Sequence, residues 1–186
     1  MQTHYFLAVP LPSTLKRKIV ESISRKDFPF KRWVHEKDLH LTLVFLGSCT
    51  QEQLKQIEKK CQPLVTNWEA FTLELSTYGT FGSKKKPRIF WIGVKEEAKL
   101  YQLQRDVSRL CEESGFALDK KSFSPHITLA RQWAIDNDYE AVDGSQMQGV
   151  HWCVDEFILY KSVLTETPKY KTVHRFQFGG GIIPND

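Results

Sequence analysis

His40-Leu-Thr-Leu-Val-Phe-Leu-Gly47 sets a histidine, an apolar residue, a threonine and a leucine in a row, and Ser124-Pro-His-Ile-Thr-Leu-Ala-Arg131 repeats that core from His126. The other four histidines, His4, His35, His151 and His174, have no threonine two positions on. A strand points residues i and i+2 to the same face. Each motif therefore aims one imidazole and one hydroxyl in a common direction. Two such strands facing each other would make a near-symmetric site with His40, Thr42, His126 and Thr128 inside it.

Working outward, Tyr5 to Val9 is an apolar run closed by Pro-Leu-Pro, which predicts a buried strand and a turn. A helix follows from Ser13 or Thr14 to about Ser24, with Leu15, Ile19 and Ile23 on one stripe. Trp33-Val34 and Leu39 to Leu46 read as strand. Thr50 and Gln53 form a capping box for a helix carrying Leu54, Ile57 and Cys61, and Pro63 marks its expected end. Phe71 to Leu75 alternates as a strand and is expected to run into a loop at Tyr78 to Gly82. Ile89 to Val94 is a further strand, and a helix from Glu96 to Ser114 stops at Gly115. The polar stretch Trp133 to Gly149 holds at most a short helix. Val154 to Leu164 and Val173 to Phe178 are the last strands, with Gly179-Gly180-Gly181 as the end of the ordered chain.

Each histidine motif thus lies on a strand after a helix, so the halves read as diverged repeats. Neighbouring segments can pair antiparallel, which predicts an α+β fold. No Gly-, Pro- or Ser-rich linker parts the halves. We expect one bilobal domain over 1–186, its two pseudo-symmetric lobes of mainly antiparallel sheet having helices outside and a central cleft carrying both motifs.

With 186 residues, 41% of them hydrophobic, the chain is long enough to build a core. No apolar run approaches membrane-spanning length, and Met1 to Pro10 reads as strand rather than leader, so a soluble, cytoplasmic protein without membrane contact is expected. Cys49, Cys61, Cys111 and Cys153 form no CxxC pair, which argues against structural zinc and for free thiols. A net charge of +4 suits an anionic partner but falls short of a protein that coats DNA. The run Lys84-Lys85-Lys86 is read as a solvated loop; Lys120-Lys121 lies closer in sequence to His126.

The chemistry of two histidines and two hydroxyls is that of opening a phosphodiester without a metal or other cofactor. One neutral imidazole takes a proton from an attacking water, and one protonated imidazole gives a proton to the departing oxygen. An ordinary pKa near 6.5 keeps both forms available. Thr42 and Thr128 can hold non-bridging oxygens. This argument fixes a pair of roles, not which histidine takes which.

The longer motifs resemble the two signatures of the 2H phosphoesterase superfamily, and within it the RNA 2′,3′-cyclic phosphodiesterases, also called 2′-5′ RNA ligases. Phe6 to Val9, Arg32 to Val34, Ser162 and Tyr170 add weaker matches. The resemblance implies metal-independent hydrolysis of a 2′,3′-cyclic phosphate at an RNA 3′ end to a 2′-phosphomonoester. It implies His40 as proton donor, His126 as proton acceptor, and Thr42, Thr128 and Arg131 as phosphate-binding groups. RNA with cyclic-phosphate ends, or a small cyclic nucleotide, is the expected partner of a monomeric enzyme. Reversible 2′-5′ ligation, or a non-catalytic nucleotide- or RNA-binding module, are the alternatives.

Two residues test this picture. Arg131 is five positions from His126, so strict alternation turns it to the opposite face unless the strand ends, twists or bulges after Ala130. The same parity sets Phe45 opposite His40, in the core first and as a stacking platform for a base second. Trp33, Phe81, Phe123 and Trp133 are further aromatic candidates for stacking on a base. His35 is expected at the rim.

Overall fold

The computed structural model describes residues 3–180. Nine strands and three α-helices follow one another as β1 (Tyr5–Pro10), α1 (Ser13–Glu21), β2 (Phe30–Trp33), β3 (His40–Gly47), α2 (Gln51–Thr66), β4 (Phe71–Gly82), β5 (Pro87–Val94), α3 (Ala98–Glu112), β6 (His126–Trp133), β7 (His151–Val154), β8 (Glu156–Ser162) and β9 (Tyr170–Gln177). All pairings are antiparallel, in the order β7-β4-β5-β6-β3-β1-β8-β9, with β2 also lying against β6.

The order explains why no linker is visible. The consecutive strands β4 and β5 pair as a hairpin and join the second motif through β6, while β8, which follows the second motif, pairs with β1, ahead of the first. Each lobe is completed by the other half of the chain. The lobes meet where β3 pairs with β6 through Leu41 and Ile127, the apolar residues at the centres of the two motifs. Both are fully buried and belong to one core with Leu7, Val9, Ile92, Phe157 and the inner stripes of the helices.

Local chemistry fixes the helices. The Thr50 hydroxyl accepts from the Gln53 N–H at 3.1 Å, and the Gln53 side chain accepts from the Thr50 N–H at 3.0 Å, so the capping box starts α2 as expected. Pro63 does not end α2, which runs to Thr66. Pro63 donates no N–H and its ring crowds the carbonyl four residues earlier, yet Val65, one turn beyond Cys61, is fully buried and the last turn stays helical. Gly115, with φ +87°, terminates α3: its N–H donates to Glu112 and the next N–H to Cys111.

Other boundaries differ from expectation. Tyr78 to Gly82 is strand, not loop, because it pairs with Pro87 to Ile92 of β5. His151 to Val154 forms a strand of its own that pairs with Phe71 to Glu74, and the polar region before it contains only a 3₁₀ turn at Ser145–Met147. Gly179 and Gly180 dock on the end of α2, donating to the Val65 and Trp68 carbonyls, while Gly181 lies outside the described residues. Cys49, Cys61, Cys111 and Cys153 are free thiols. Among the described residues no helix is long and apolar enough to cross a membrane.

Candidate active site

Pairing of Leu41 with Ile127 in antiparallel strands sets His40 opposite Thr128 and Thr42 opposite His126. Leu41 and Ile127 point into the core, so the four polar side chains share the other face, where all are half-buried. The histidines are diagonal neighbours across the strand pair, a spacing of about 7–8 Å, with their Cβ atoms somewhat closer.

Both rings are held alike. Nδ1 of His40 donates to the Asp38 carbonyl at 2.7 Å, and Nδ1 of His126 donates to the Ser124 carbonyl at 2.7 Å. A carbonyl only accepts, so each neutral ring carries its proton on Nδ1 and keeps Nε2 for chemistry. The Thr42 hydroxyl donates to Nε2 of His40 at 3.1 Å. Around His40 stand Phe6, with ring centroids 4.7 Å apart, and Tyr170, edge-on at 5.1 Å. Phe81 meets His126 edge-on at 4.8 Å, and Trp91 lies at 6.2 Å. Of the four aromatic candidates, Phe81 alone has a ring contact with a motif histidine among the described residues; Trp33 and Trp133 pack on Phe30, and Phe123 on Tyr101.

This apolar packing lowers the basicity of both rings. Burial takes His40 from 6.5 down to about 4, aided by the positive charges of Lys16 and Lys169 and opposed by the bond to the Asp38 carbonyl. Burial also lowers His126, where the Ser124 carbonyl opposes and the Arg131 charge adds to the effect.

Two matched β-bulges resolve the parity of Arg131 and overturn that of Phe45. Thr42 pairs with Ala8 and Val44 with Leu7, so Leu43 is an extra residue in β3. Thr128 pairs with Trp91 and Ala130 with Phe90, so Leu129 is an extra residue in β6. Each bulge falls immediately after the threonine, not after Ala130, and buries two consecutive apolar residues. The sixth residue of each motif is thereby returned to the histidine face. In β6 that residue is the exposed Arg131. In β3 it is Phe45, which pairs with Phe6 and is 60% exposed rather than in the core. The adjacent apolar pairs Leu43-Val44 and Leu129-Ala130 are the sequence signal of this departure from alternation.

Asp38 is a supporting residue that sequence reasoning missed. It is the buried charged residue of the described chain, 4% exposed, and its carboxylate accepts the N–H groups of Lys169 at 3.1 Å and Tyr170 at 3.0 Å. One residue therefore holds His40 through its carbonyl and the β8–β9 loop through its side chain. His35 is exposed, and its Nδ1 accepts from the Lys37 N–H. Among the described residues no three His, Cys, Asp or Glu side chains stand close enough together to hold a metal ion.

The antiparallel sheet thus brings a histidine–threonine pair from each half onto one face, two imidazoles beside two hydroxyls. The sequence profile of the 2′-5′ RNA ligase superfamily matches residues 11–164, and the chain belongs to that family. An RNA 2′,3′-cyclic phosphodiesterase of Geobacillus stearothermophilus is 39% identical over 183 residues, 96% of this chain and 58% of that protein. The chain thus spans little more than half of that relative. A protein of the same name from Bacillus subtilis is 28% identical over 178 residues, 95% of this chain and 97% of its own length. The structure of E. coli LigT complexed with 3′-AMP superposes with a TM-score of 0.78 at 26% identity, covering 96% of this chain and 99% of that one.

Proposed function

We propose that the chain, working as one monomeric unit over 1–186, hydrolyses RNA 2′,3′-cyclic phosphate ends to 2′-phosphomonoesters without a metal. The observation that carries this reading is the pair of imidazoles fixed in one tautomer, each presenting Nε2 to the same face. Similarity to proteins named RNA 2′,3′-cyclic phosphodiesterase supplies the substrate class, and the 3′-AMP bound by E. coli LigT supports a nucleotide there.

In this mechanism Nε2 of neutral His126 takes a proton from the water that attacks phosphorus. The bond from phosphorus to O3′ breaks, and Nε2–H of protonated His40 gives its proton to O3′. Throughout, Nδ1–H of each ring stays on its carbonyl. Thr42 and Thr128 hold the non-bridging oxygens, and Arg131 offsets their charge. The division into donor and acceptor follows the family resemblance. The free-enzyme basicity of His40 is too low for a general acid at neutral pH, so the anionic substrate has to raise it by charge attraction.

The test is product analysis on an oligonucleotide ending in a 2′,3′-cyclic phosphate. A 2′-phosphate should form with or without a chelator, and His40→Ala and His126→Ala should each lower kcat by roughly 10²–10⁴-fold. A 3′-phosphate product would reverse the assignment of donor and acceptor, and loss of turnover in chelator would reject the metal-free mechanism.

A further inference from the structure

A cavity of about 330 Å³ has Asp38 in its wall, together with Arg25, Arg32, Arg131 and Lys169. None of these four cations has a salt bridge among the described residues. Arg32 and Arg131 are direct cross-strand partners, an arrangement that repels when nothing anionic lies between. The Arg25 guanidinium is propped at 5.4 Å over the Trp33 ring, and Lys169 Nζ at 4.9 Å over the ring of Tyr170. The carboxylates in the wall are already engaged: Asp38 accepts two backbone N–H groups, and Glu166 is paired with Lys171 at 2.6 Å.

The cavity adjoins the reaction centre. Asp38 lines the cavity and holds Nδ1 of His40 through its carbonyl, while its carboxylate accepts the backbone N–H of Lys169, another lining residue. Arg131 lies on β6 beyond Thr128, which faces His40, so the cavity continues from the side on which His40 would meet the leaving oxygen and its ribose. Resting on the proposed phosphodiesterase reading, we infer that this cavity is a second anion subsite that takes the phosphodiester backbone of a single-stranded RNA upstream of its cyclic phosphate. One cyclic phosphate needs the two threonines and one arginine; three further cations are supplied for phosphates that a free cyclic mononucleotide lacks. The subsite selects chain ends over mononucleotides, and RNA is its ligand through charge rather than base sequence.

The experiment compares a short cyclic-phosphate-ended oligoribonucleotide with a nucleoside 2′,3′-cyclic phosphate, in wild type and in the double variant Arg25→Gln/Arg32→Gln. Affinities for the 2′-phosphate-ended oligonucleotide and the 2′-mononucleotide are measured alongside, and a thermal melt confirms folding. Wild type should prefer the oligonucleotide in kcat/KM and bind it with a steep salt dependence. The double variant should lose about tenfold on the oligonucleotide alone, with its salt slope reduced by about 0.7 for each phosphate that is no longer neutralised. Equal treatment of both substrates by wild type, or equal losses on both in the variant, would overturn the subsite. If wild type turns over neither substrate, the catalytic reading fails, and the binding measurements still decide the subsite by the same comparison.

Discussion

His40 and His126 share a device: a carbonyl two residues earlier holds Nδ1–H, and aromatic packing makes the ring hard to protonate. For a donor–acceptor pair, kcat/KM follows free-enzyme ionisations, and both lie below 6.5. A bell-shaped kcat/KM profile with its maximum on the acid side of 6.5 is therefore expected. The kcat profile should move to higher pH, because a bound phosphate favours the protonated rings; coincident profiles would count against this coupling. Phe45 occupies in its motif the position that Arg131 occupies in the other, and its ring is 60% exposed. Phe45→Ala should change stability by no more than about 0.5 kcal/mol, since little packing is removed. It should raise KM for nucleotide substrates several-fold while leaving kcat nearly unchanged, as loss of a stacking surface does. An unchanged KM would return Phe45 to an ordinary surface residue.

The elements that hold the site are short, and their bonds are few. The 3₁₀ turn Glu36–Asp38 interrupts the line of β2 and β3 along β6 and puts Asp38 under both His40 and the start of β9. Asp38→Ala would leave two N–H groups without their acceptor in a buried place, at a cost of about 3 kcal/mol. Denaturant unfolding should register that loss, and kcat should fall with it because Tyr170 and the Asp38 backbone both position His40. Asp38→Asn, with one acceptor oxygen, should fall between. The bulges at Leu43 and Leu129 belong to this scale as well. Their adjacent apolar pairs are visible in the sequence, but a bulge is defined by what the partner strand does. Leu7 and Ala8 of β1, and Phe90 and Trp91 of β5, fix the register that sends Phe45 and Arg131 to the histidine face.

At the scale of the molecule, the cost of keeping His40 uncharged appears in stability. Its basicity falls from 6.5 in the open chain to about 4 in the fold, so the unfolded state binds more protons between those values. The contribution is present in full above pH 6.5 and is lost as pH falls toward 4; lowered His126 acts in the same direction. The melting temperature should therefore drop from pH 7 to pH 4.5, and His40→Gln should flatten that slope. A slope unchanged in the variant would locate the acid sensitivity elsewhere. The crossed strands β4, β5 and β8 make the two lobes depend on each other, since neither half of the chain supplies all the strands of one lobe.

The four inward groups, His40, Thr42, His126 and Thr128, were legible from sequence because strand parity is a property of the covalent chain over two residues. The capping box of α2 and the glycine stop of α3 were legible for the same local reason. The face taken by Phe45, the role of Asp38, the strand at His151–Val154 and the cation-lined cavity were not. Each depends on which distant strand lies alongside and in what register. Only the folded sheet, with each lobe completed by the other half, settles those partners.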